Sequence, residues 1–128
     1  NELTRVFIHE RLHVLQRMNP DMWNDYIQKN MKHWTRIDEH SPTFQSLDKN
    51  VIPNHVINPD TDYKKFKYLY NKSNDVYHGV TVYNQNIVVK WFKVAYDNII
   101  NVFEVIYKYE HPFEELAYII SDQLILDI

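Results

Sequence analysis

"FIHERLHVLQR", residues 7–17, decides how this chain folds. Its two histidines, His9 and His13, stand four apart, so on an α-helix their rings share one face. Around them Leu3, Val6, Phe7, Leu12, Val14, Leu15 and Met18 recur at helical spacing, which predicts an amphipathic helix over residues 3–18. Within it, His9-Glu10-Arg11-Leu12-His13 is either a metal site or a charged helix face, and five residues alone do not choose between them.

Working outward, "NPDMWNDYIQKNMKHW" (19–34) predicts a second helix, with Asn19 as N-cap and Pro20 at the first helical position. Met22, Trp23, Tyr26, Ile27 and Met31 form its apolar stripe. From Ile37 to Asp62 the periodicity is lost, and "HSPTF" and "VIPNHVINPDTD" predict a long irregular connection. Between Lys65 and Tyr109 the period becomes two. "KFKYLYN", "VYHGVTVY", "IVVKWFKVAY" and "NVFEVIYKY" predict three or four antiparallel strands, with turns at Asn84 to Asn86 and at Asp97-Asn98. "HPFEELAYIISDQLILDI" returns to helical spacing with Pro112 in its first turn. The expectation is one α+β domain over residues 1–128 in which the first and last helices lie on one sheet. The chain opens on Asn1 and not Met, which raises the expectation of a further segment upstream.

Composition removes several classes of function. At 128 residues the chain is long enough to bury a core without staples. A net charge of -3 argues against a nucleic-acid partner held by its backbone. With no cysteine there are no disulfides, thiolate ligands or cysteine nucleophile, which fits a reducing, intracellular setting. The single glycine, Gly79, excludes glycine-rich phosphate loops. None of Ser41, Ser46, Ser73 and Ser121 is flanked by glycines, so a nucleophile elbow is not expected. "NIINVFEVIY" is interrupted by Asn101 and Glu104, so no membrane span is expected, and no secretory signal is visible. "YKKFKYLYNK" (63–72) interleaves Lys64, Lys65, Lys67 and Lys72 with Phe66, Tyr68 and Tyr70. Such a stretch can hold single-stranded nucleic acid or can be an edge strand guarded by lysines; the net charge favours the edge strand.

Zinc accepts neutral imidazole nitrogen, and a catalytic site uses three protein ligands with one position left for water. Glu10, one step round the helix from His9, is placed to take a proton from that water. Gln16 and Asn19 stand where the metzincin extension needs Gly and His, which excludes that class. A third ligand must come from elsewhere, and Glu114 and Glu115 open the helix that should pack beside the first.

At this point "HERLHVLQR" together with "YEHPFEELAY" resembles the gluzincin zinc peptidases, in which a second helix carries the glutamate ligand with a small residue three positions on. Glu114 and Ala117 fit that form, with Glu115 in reserve. The same two segments are similar to small metalloprotease-like proteins encoded by large DNA viruses, while the strands between them are unmatched. The resemblance implies a zincin-like fold, Zn²⁺ held by His9, His13 and Glu114, and Glu10 as general base. It also implies a peptide or protein substrate and an intracellular setting, host cytoplasm or virion. His111 and Tyr118 are its candidate oxyanion donors, Tyr118 lying one turn beyond Glu114, although His111 could instead cap the helix and Tyr118 could be core. Asp122 is either a carboxylate behind a ligating histidine or a solvated residue. His33, His40, His55 and His78 are read as surface histidines, although His33 and His40 flank Asp38. The alternative to an enzyme is a structural or virion-associated protein that keeps zinc only for stability.

Overall fold

The computed structural model describes residues 1–38, 40–42, 66–84, 86–95 and 98–126. These form an α+β fold of α1 (Glu2–Met18), α2 (Pro20–Asn30), β1 (Trp34–Ile37), β2 (Lys67–Lys72), β3 (Asp75–Asn84), β4 (Asn86–Ala95), β5 (Asn98–Val102) and α3 (Pro112–Leu126). The strands make one sheet in the order β1-β2-β3-β4-β5, every neighbour antiparallel.

α1 starts where the side-chain oxygen of Asn1 accepts the Thr4 amide at 2.8 Å, satisfying one of the donors that a helix start leaves open. Asn19 precedes α2 as expected but does not cap it through its side chain, which reaches the Met22 sulfur at 3.8 Å. The larger correction concerns orientation. α1 buries Leu12, His13 and Gln16, whereas Leu3, Val6, Phe7, Val14, Leu15 and Met18 stay exposed. On α2, Ile27 and Asn24 are buried while Met22 and Tyr26 face outward. Periodicity reveals that a stripe exists, but the partner decides which side is covered. For α1 that partner is α3, and it offers polar groups.

The main core lies between the sheet and the helices α2 and α3. It is built from Ile27, Met31, Trp34, Phe66, Tyr68, Trp91, Phe113 and Leu116. Residues directly opposite on antiparallel strands share a face, so Trp34 meets Tyr70 and Gly79 meets Trp91 on this side. The other face carries a second cluster of Leu69, Val80 and Phe92.

The sheet has five strands among the described residues, not three or four. The additional one, β1, falls at the junction of the expected second helix and irregular connection. Four residues are too few to display a period, and pairing with β2 is what makes them a strand. β2 is consequently interior and not an edge. Phe66, just before it, and its own Tyr68 are each 1% exposed, turned into the core. β5 lies upstream of most of "NVFEVIYKY", and residues 103–110 run without strand structure toward α3. The expected turn residues Gln85 and Asp97, Lys64 and Lys65, and the connection over 43–65 including His55 lie outside the described residues. No helix among the described residues is long and apolar enough to cross a membrane.

The chain's one glycine is explained by packing. A Cβ on Gly79 would lie 2.8 and 2.9 Å from two ring carbons of Trp91 and 3.1 Å from the Glu110 Cα. Trp91 is completely buried, so its indole has nowhere to retreat. Gly79→Ala should therefore cost about 1–3 kcal/mol through overpacking, read as a lower midpoint in chemical denaturation. A midpoint equal to that of the parent would show that the indole can shift.

Candidate metal centre

α1 and α3 pack side by side, and the three ligands expected from the sequence converge between them. His9 Nε2 lies 2.6 Å from Glu114 Oε1, and His13 Nε2 lies 3.3 Å from Glu114 Oε2. The two Nε2 atoms are 3.0 Å apart. The group His9, His13 and Glu114 could hold a metal ion. Two atoms bound to a tetrahedral zinc at 2.0–2.1 Å lie about 3.3 Å from one another; the two nitrogens are 3.0 Å apart and each has one carboxylate oxygen within 3.3 Å, near enough for the three side chains to share one ion. The donors also fit: two imidazole nitrogens and one carboxylate are a set that zinc accepts.

The protonation state of His13 follows from its neighbour. Gln16 donates its side-chain N–H to the Phe113 carbonyl at 2.9 Å, which fixes the orientation of its amide. Its oxygen therefore faces His13 Nδ1, 2.8 Å away, and can only accept. His13 thus carries a proton on Nδ1, which turns its Nε2 toward Glu114 and the shared position. Gln16 is the functional residue that the sequence reading missed. Its signal was a glutamine three residues after His13, on the same inward face.

Glu114 owes its position to the start of α3. His111 accepts the Phe113 amide on Nδ1 at 3.0 Å and donates from Nε2 to the Phe66 carbonyl at 2.9 Å. The amides of Glu114 and Glu115 both reach the His111 carbonyl, at 3.1 and 3.2 Å. His111 is thereby committed to the backbone through both ring nitrogens. It serves as a cap and has no N–H left for a substrate, so its place as an oxyanion donor is corrected. Burial drives its pKa down to about 3; the bond to Phe66 raises it, Lys67 and His78 lower it, and Glu114 raises it. Burial of Glu114 acts to raise its pKa, but hydrogen bonds and charge from His13 and His9 outweigh this and hold it at about 2. It is ionised at neutral pH, the state a metal ligand requires.

No protein-family model, curated protein or solved structure matches this chain. The chemistry is therefore read from the geometry. A cleft of about 660 Å³ opens beside the three side chains, lined by Val6 and Glu10 of α1, Thr81 and Val89 of the sheet, and Tyr109 and Tyr118. Glu10 is exposed along it. The Tyr118 ring lies 4.4 Å from that of His9 and is 41% exposed. Burial, then the charge of Glu114, raises the Tyr118 pKa, so its hydroxyl stays protonated at neutral pH.

The remaining candidates are elsewhere. Glu115 is not at the triangle; it accepts from Trp34 Nε1 at 3.2 Å and pairs with His33 at 2.8 Å. Asp122 lines the cleft but pairs with Arg5, 3.3 Å away, and not with a histidine. The carboxylate of Asp38 accepts the backbone amide of His40. His78, expected at the surface, is buried with Nδ1 3.2 Å from the Tyr68 carbonyl.

Two outcomes follow. Gln16→Leu removes the acceptor that fixes the His13 tautomer and should weaken zinc binding about 10–100-fold in competition with a chelator; unchanged affinity would show that the glutamine only fills space. For His111, the unfolded ring titrates near its ordinary 6.5 and the folded one near 3. The unfolded chain then takes up the proton first, so stability present above pH 6.5 is lost as pH falls toward 3. Denaturation midpoints at pH 7.5 and 5 should fall less in His111→Gln than in the parent, and equal falls would contradict this.

Proposed function

We propose that this chain is a zinc-dependent peptidase of gluzincin type, with a zincin-like arrangement of its α+β fold and a peptide or protein as substrate. The observation that carries the reading is the convergence of His9, His13 and Glu114 from two helices beside a cleft that Glu10 lines. Those three side chains would hold the ion. When bound, zinc supplies a Lewis acid that polarises an amide carbonyl and acidifies water.

The chain's own groups do the rest. Glu10 takes the proton of the attacking water and passes it to the departing amine as the C–N bond breaks. Tyr118, protonated and beside His9, donates to the oxygen on which negative charge develops. Gln16 holds the His13 ring with Nε2 toward the shared position. Val6 and Val89 make part of the wall apolar, among charged groups that include Arg5, Lys108 and Glu110.

Glu10→Gln preserves shape and removes the base. Its kcat on denatured protein or a peptide library should fall about 10²–10⁴-fold with zinc still bound, and Tyr118→Phe should lower kcat by about 10². Undiminished turnover in Glu10→Gln would overturn the role of the base. A zinc-loaded parent that hydrolyses nothing would point instead to a non-catalytic protein in which zinc only stabilises the two helices.

A further inference from the structure

Glu114 and Glu115 are neighbours on the first turn of α3, yet they face different parts of the molecule. Glu115 is 2% exposed, and its two oxygens lie 2.9 and 2.8 Å from His33 Nε2. The Trp34 indole N–H donates to one oxygen and the Tyr107 hydroxyl donates to the other. These three partners come from the α2–β1 connection, from β1 and from the stretch before α3. Tyr107 is itself fixed by stacking on Tyr70, with centroids 4.3 Å apart and planes 14° from parallel.

A buried ionic group adds little net stability, because the cost of taking its charges out of water offsets their attraction. It does fix position. The backbone of Glu114 is held from one side by Gln16 on the Phe113 carbonyl and from the other by the bracket around Glu115. A glutamate side chain reaches a ligand position reproducibly only if its Cα is fixed, since its own torsions are free.

We propose that Glu115, bracketed by His33, Trp34 and Tyr107, is a positioning residue for the third ligand, so that affinity for a divalent cation depends on donors that never touch it. This rests on the reading of His9, His13 and Glu114 as a metal centre. The test uses the full chain with zinc and, separately, cobalt, whose visible absorption reports coordination geometry. Tyr107→Phe keeps the stacked ring and removes one donor, and Glu115→Gln removes the charge. Val94→Ala, in the apolar cluster on the other sheet face, gives a comparison for lost stability alone.

Glu115→Gln should weaken zinc binding about tenfold or more and Tyr107→Phe several-fold, both with an altered cobalt spectrum. Val94→Ala should leave affinity and spectrum as in the parent. Affinities within about twofold of the parent in both bracket variants, or a loss no greater than in Val94→Ala, would overturn the proposal. If Glu115→Gln does not fold, Tyr107→Phe decides alone. A parent that takes up neither metal overturns the metal reading and this inference together, whereas a metal-binding parent with insensitive variants overturns only the inference.

Discussion

The arrangement depends on the polar inward face of α1. A surface helix ordinarily buries its apolar stripe, but here His13 and Gln16 are 0% exposed while Phe7 and Met18 are in solvent. A buried polar group left without a partner costs about 1–3 kcal/mol, so α1 settles where the Nε2 atoms of its imidazoles and its carboxamide are answered. Glu114 and the Phe113 carbonyl answer them. Turning α1 half-way round would bury Phe7 and Met18 but would strand these groups. The polar contact thus sets the rotation of the helix, and with it the direction in which Glu10 faces.

That demand passes to α3. Its first turn must present Glu114 to α1 while the following residues enter the core. Pro112 supplies a fixed φ at the first position, and His111 satisfies the exposed amides. Phe113, Leu116 and Ala117 then pack inward, next to Glu115 in its bracket. Beneath them the Trp91 ring lies against Gly79, where a Cβ would collide with it, and Thr81 and Val89 of the same sheet wall the cleft. Each group at the site is therefore held by an element whose own position has a separate physical cause.

Much of this was legible in the sequence. His9 and His13 were four apart, which is sufficient to place two rings on one helix face, and Glu114 was marked by the helical spacing that follows Pro112. The segments that became β2, β3 and β4 announced themselves by alternation, whereas the fourth expected run meets β5 only at Asn101 and Val102. Other features were hidden for identifiable reasons. β1 has four residues and no period of its own; only its partner β2 defines it. The solvent-facing side of α1 has the stronger apolar pattern, so patterning alone turns the helix the wrong way. Gln16 looks like any exposed polar residue until the Phe113 carbonyl is placed beside it. Glu114 and Glu115 are identical in type and adjacent; Ala117 three positions on favoured Glu114, and the tertiary partners of each, histidines from α1 or the His33–Trp34–Tyr107 set, tell them apart.

The central claim is that two helices share one metal ion. Metal analysis of the purified full chain after equilibration with zinc and removal of the excess tests it most directly, alongside folded His13→Ala and Glu114→Ala variants. The account predicts about one zinc per chain in the parent and none retained by either variant. A parent without zinc, or zinc kept in full by Glu114→Ala, would contradict it.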